Sequence, residues 1–82
     1  MEDKKVIWIT GASSGIGKAL AIKFADKGWI VAASARREEL LNDLNKINQN
    51  IHAFPLDVTD IERCKLVAKE IIDRFKNIEI CV

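Results

Sequence analysis

With 82 residues, 49% of them apolar and 30% charged, the chain suffices for one small domain and has too much apolar content for intrinsic disorder. A domain of this size buries only about 60% of its unfolded surface, so its margin of stability is thin. The formal net charge of +1 implies no strongly basic face, which argues against nucleic acid and against an anionic membrane as partners.

No apolar run approaches the ~20 residues of a membrane span. The apolar stretch after the charged residues 1–5 is too short for a secretory signal and runs straight into a glycine–serine loop. A cytoplasmic protein is expected. Cys64 and Cys81 stand far apart, with no CxxC and a single histidine, so a metal site of about four ligands cannot be assembled. Both thiols are expected to be free and buried.

Along the chain, short apolar runs alternate with helical periods. Residues 6–9 (VIWI) are apolar throughout, the pattern of a strand buried on both faces. The segment TGASSGIG follows directly. Ile16, Ala19, Leu20 and Phe24 then recur at helical spacing, and Lys27 with Gly28 closes that helix. Residues 29–33 form a second apolar strand. Leu40, Leu41, Leu44 and Ile47 mark a second helix, which ends near Asn48 and Asn50.

Residues 51–56 read as a third strand, and Pro55 within it points to a sheet edge. Thr59 with Glu62 three residues later forms a capping box that opens a third helix. Ile61, Cys64, Ala68, Ile71, Ile72 and Phe75 line one face of that helix. A fourth strand begins in residues 78–82. The order β-α-β-α-β-α-β implies an α/β fold of Rossmann type in three layers, with a partial parallel sheet and right-handed crossovers.

Gly11, Gly15 and Gly17 lie between a buried strand and an amphipathic helix, and that placement gives the motif its meaning. A tight strand-to-helix turn needs positive φ, and a pyrophosphate needs close approach to the backbone. The free amides of the helix's first turn would face the phosphates. Ser13 and Ser14 add hydroxyls beside them. Gly17-Lys18 partly matches the phosphate-binding loop GxxxxGK[ST], but Ala12 replaces its first glycine and Ala19 its Mg²⁺-binding hydroxyl.

The end of the second strand discriminates between cofactors. An NAD site places Asp or Glu there to bind the ribose 2′-hydroxyl. Here the segment is Ser34-Ala35-Arg36-Arg37, with no carboxylate and two guanidiniums suited to a 2′-phosphate. Cations at a helix start also oppose its dipole, a conflict that a bound anion would resolve. Asp57, after the third strand, could accept from an adenine amino group or simply form a turn. Asp60 reads as a helix-start charge, His52 as a surface or half-buried imidazole, and Trp8 and Trp29 as packing residues.

The combination TGASSGIG, then SARR, then LDVTD resembles the short-chain dehydrogenase/reductase family over essentially the whole chain. The resemblance implies that residues 1–82 are the N-terminal part of a single NAD(P)-binding Rossmann domain. It implies NADP (NADPH) as cofactor, with Gly11, Ser13, Ser14, Gly15, Ile16 and Gly17 around the pyrophosphate and nicotinamide side. Arg36 matches the family's 2′-phosphate arginine, Arg37 offers a second contact, and Asp57 and Val58 match the adenine pocket.

The resemblance also implies hydride transfer between NADP(H) and a carbonyl or alcohol substrate in a complete enzyme. The family's catalytic serine and Tyr-x-x-x-Lys pair lie beyond the fourth strand, and this chain contains no tyrosine. Turnover by these residues alone is therefore not expected. A non-catalytic nucleotide-binding module and an inert truncated remnant stand as alternatives. The unpaired edge of the fourth strand predicts self-association.

Overall fold

The computed structural model describes residues 4–82, so the first three residues of the charged N-terminal segment lie outside it. Seven elements follow one another: β1 (Val6–Thr10), α1 (Gly15–Asp26), β2 (Ile30–Ser34), α2 (Glu38–Ile47), β3 (Ile51–Ala53), α3 (Ile61–Phe75) and β4 (Ile80–Cys81). The strands form one parallel sheet in the order β3-β2-β1-β4. The alternation expected of a Rossmann-type fold is present, and β3 lies at an edge.

Strand periodicity divides the core in two. Ile7, Ile9, Val31, Ala33 and Ile51 face α1 and α2, where they pack with Ala21, Ala25, Leu41 and Leu44. Val6, Trp8 and Ala32 face the other way, against Val67 and Ile71 of α3 with Phe54 and Leu56. Each central strand is therefore covered on both faces, which is why no polar alternation shows in its sequence.

The chain runs outward from β1 through β2 to β3, then crosses back through α3 to place β4 on the other side of β1. In sheets of this kind the reversal opens a crevice at the carboxyl ends of the strands. Register keeps those ends level, with Thr10 of β1 opposite Ser34 of β2.

Several local expectations are corrected. The ladder strand β3 is only three residues long, yet Phe54 and Leu56 continue it by donating to the carbonyls of Ala33 and Ala35, each at 2.9 Å. Pro55 falls between these donors, where the missing N–H would point away from β2. In α1 the buried stripe is Ala21 and Ala25, flanked by half-buried Leu20 and Phe24. Ile16 is 82% exposed and Ala19 is also exposed, because alanines at the contact bring the helix close to the sheet along a narrow seam.

The same narrowing applies to α3, which buries Val67 and Ile71 and half-buries Cys64, Ala68 and Phe75. Ile61 and Ile72 remain exposed, as does Ile47 at the end of α2. Both cysteines are free as expected, but Cys64 is only half-buried and Cys81, on the edge strand, is exposed.

The third helix is capped by Asp60, not Thr59: the Asp60 carboxylate accepts from the Arg63 amide at 3.1 Å. Thr59 is engaged elsewhere, its amide and hydroxyl both donating to Asp57. Trp8 is buried, and Trp29 is half-buried edge-on against Phe24. His52 is half-buried on β3; burial first, then the charges of Arg74 and Lys4, hold its pKa below the usual histidine value.

Candidate functional site

The turn from β1 into α1 owes its shape to glycine. Gly11 and Gly15 adopt φ of +65° and +59°, the left-handed region that side chains disfavour. At Gly17 the constraint is contact instead: a Cβ there would lie 2.2 Å from the carbonyl oxygen of Gly11. The first turn of α1 thus presses directly on the loop backbone. Ala12, buried under the loop, donates its amide to the carbonyl of Ser34 at 3.1 Å, which fixes the loop to the end of β2.

The start of α1 has an unusual charge balance. Ser14 occupies the N-cap in extended conformation, but its side chain makes no capping bond, and no acidic residue lies in the first turn. The partial positive charge of the helix end therefore meets no carboxylate from its own turn.

The neighbouring βα turn adds full charges to this edge. Arg37 is the N-cap of α2, again without a side-chain cap bond, and Arg36 precedes it. Glu38 and Glu39 follow in the first turn of α2, where the dipole favours them.

A hollow of about 480 Å³ opens between these two turns. Gly11, Ser13, Ser14, Ala35, Arg36, Arg37, Leu40, Leu56 and Val58 line it. Its size lies within the range of small-molecule sites. Gly11, Ser13 and Ser14 line it from the turn before α1, Arg36, Arg37 and Leu40 from the turn into α2 and its start, and Leu56 and Val58 from the segment after β3. Those linings offer hydroxyls and two cations beside an apolar wall, which suits a ligand that joins anionic groups to an apolar one.

Of the residues singled out from sequence, Gly11, Ser13, Ser14, Arg36, Arg37 and Val58 line this hollow. Gly15, Ile16 and Gly17 build the turn and helix start without lining it. Asp57 also lies off the wall. Its Oδ1 accepts from the Thr59 hydroxyl at 2.7 Å and the Thr59 amide at 2.9 Å, which closes a turn. These bonds, the hydroxyl's foremost, hold its pKa below the usual aspartate value, and Arg36 acts in the same direction.

Sequence reasoning missed Ala35, Leu40 and Leu56 as lining. Leu40 and Leu56 were legible as apolar helix and strand positions. Periodicity reports that such a residue is sheltered, not whether the shelter is core or pocket.

Residues 5–82 match the family model described as short chain dehydrogenase. Sulfoacetaldehyde reductase 2 of Chromohalobacter salexigens is 38% identical over 80 residues, which cover 94% of this chain and 32% of that protein. The crystal structure of a short-chain dehydrogenase from Streptomyces avermitilis matches with a TM-score of 0.92 and 39% identity, over 99% of this chain and 30% of that one. A metagenomic short-chain oxidoreductase in complex with NADP shares the fold, with a TM-score of 0.85 at 23% identity over 94% of this chain and 37% of that one. The chain thus spans about a third of the length of the relatives it matches.

Proposed function

The chain belongs to the short chain dehydrogenase family, oxidoreductases that bind a dinucleotide, and on that premise we propose that it is the NADP-holding portion of such an enzyme. The observation that carries this reading is the shared wall of one hollow. Arg36 and Arg37 line it together with Gly11, Ser13 and Ser14, and among the described residues no carboxylate lines it.

The residues fit the group. The uncapped amides of Gly15, Ile16 and Gly17, with the Ser13 and Ser14 hydroxyls, would hold the diphosphate. Arg36 and Arg37 would hold the 2′-phosphate through forked, charge-assisted donors. Leu40, Leu56 and Val58 would bound the adenine, while Asp57, off that wall, would hold the turn that carries Val58. Gly17, whose Cβ would strike the Gly11 carbonyl, keeps the helix mouth close to the loop that receives the phosphates.

When bound, the cofactor would give hydride to, or take it from, a carbonyl or alcohol carbon in the whole protein. These 82 residues position it and hold no tyrosine to relay a proton. Among the described residues no helix is long and apolar enough to cross a membrane. The cytoplasm is the compartment this reading assigns.

Binding of NADPH and NADH to the full chain tests the proposal. NADPH is expected to bind tighter by about 1–3 kcal/mol, the scale of hydrogen bonds to charged groups. Arg36→Ala should erase most of that difference. Equal affinities in the unsubstituted chain would overturn the assignment.

The free edge of β4 bears on partners. Ile80 is 39% and Val82 54% exposed along it, and an unpaired edge is a template for another strand. A second copy of this chain is the proposed occupant. Size-exclusion chromatography should show concentration-dependent dimers, and a monomer at every concentration would sink the idea.

A further inference from the structure

Ser34 is the last residue of β2, and its side chain is fully buried. Two contacts from different layers converge on it. From the α3 side of the sheet, the indole Nε1–H of Trp8 donates to its hydroxyl oxygen at 2.9 Å. From the glycine loop, the Ala12 amide donates to its carbonyl oxygen at 3.1 Å. The chain then leaves Ser34 into Ala35, Arg36 and Arg37, all three of which line the hollow. The carbonyl of Ala35 in turn accepts from the Leu56 amide at 2.9 Å.

An indole nitrogen can only donate, so a buried Trp8 needs an acceptor, and Ser34 supplies it. Phenylalanine or valine at position 8 would fill apolar space without this demand. The bond restrains the side chain of the very residue whose backbone holds the loop on one side and launches the arginines on the other.

The consequence concerns distance. The diphosphate and the 2′-phosphate belong to one ligand, so the loop amides and the guanidiniums must keep a fixed separation. Sites of this kind need their groups held to about 0.5 Å by supporting hydrogen bonds. We propose that Trp8 and Ser34 form a positioning bridge that sets the arginine rim against the glycine loop and thereby governs the preference for NADP over NAD. The proposal rests on the NADP reading given above.

The test uses Trp8→Phe, which keeps an aromatic ring and removes the donor, Ser34→Ala, and the double variant, all in the full chain. Hydrogen exchange of the Ala12 amide, measured without cofactor, should accelerate roughly tenfold more than that of the remote Gly28 amide. Equal acceleration at both amides would mark the pair as general packing and overturn the proposal. The NADPH-to-NADH affinity ratio should fall roughly three- to tenfold in each single variant, the scale of one hydrogen bond. The double variant should lose no more than the worse single one, since both delete the same bond.

An unchanged ratio in well-folded variants overturns the bridge and leaves the NADP reading standing. A chain that shows no preference before substitution overturns the NADP reading and the specificity role with it, while exchange at Ala12 still decides whether the bridge holds the loop. If Trp8→Phe fails to fold, Ser34→Ala carries the same measurements.

Discussion

The starts of α1 and α3 solve one problem in opposite ways. Each helix begins with amides that lack intrahelical acceptors. At α3 the chain satisfies them itself: Asp60 accepts from the Arg63 amide, and Glu62 adds a negative charge in the first turn. At α1 the cap side chain makes no bond, no acid stands in the first turn, and glycine occupies the first and third helical positions. A helix start that serves only the fold is completed locally. One that is left incomplete, beside a hollow lined by two arginines, is suited to a ligand that completes it.

The third helical position separates the two starts most sharply. Gly17→Ala would drive a Cβ to 2.2 Å from the Gly11 carbonyl oxygen, backbone against backbone. A loss of about 3 kcal/mol is expected, along with cofactor binding. The corresponding residue of α3, Arg63, is exposed, and Arg63→Ala should change stability by no more than about 0.5 kcal/mol. Urea denaturation of both variants checks this, and similar losses would break the contrast.

Exchanging the capping strategies should have smaller and opposite effects. Asp60→Ala is expected to cost about 1 kcal/mol and leave NADPH affinity unchanged. Ser14→Asp should stabilise the fold by about 0.5 kcal/mol, since an acid suits an uncapped helix start. It should also weaken NADPH binding, because that acid would compete with the diphosphate. Thermal melts paired with NADPH titrations read both. Tighter NADPH binding by Ser14→Asp would refute the role given to α1.

Acid should distinguish the two starts most gently. The pKa of Asp57 is lowered in the fold by its bonds from Thr59, so the ionised form is favoured there. Its stabilisation is present above the unfolded aspartate value and lost as pH falls through the lower folded one. The turn before α3 should therefore loosen in acid, whereas the glycine loop before α1 has no carboxylate to titrate. NMR titration should show the Thr59 amide following Asp57 while the Gly15 amide follows no carboxylate in its own turn.

The parts that sequence disclosed well are those whose cause is local. The buried strands β1 and β2 announce themselves through uninterrupted apolar residues, and the glycine loop through its position between strand and helix. Helix faces were read less well. Ile16 fits the period of α1 but is exposed, whereas Val67, absent from the expected face of α3, belongs to the core. The α3 cap lies one residue later than expected, at Asp60, while Thr59 donates through its amide and hydroxyl to Asp57, an arrangement that the spacing of Thr59 and Glu62 does not reveal.

The chain by itself determined the alternation of strand and helix, the glycine-rich turn after β1 and the absence of an acid between β2 and α2, since each follows from side-chain volume, periodicity or charge within a few residues. Only tertiary structure decided that the loop and the arginines share one hollow, and that Leu40 and Leu56 wall it. Parallel pairing sets Thr10 opposite Ser34, and the Ala12 amide reaches the Ser34 carbonyl, so segments more than twenty residues apart meet at one edge. Hydrogen bonds between strands are non-local, and no window of sequence contains both partners.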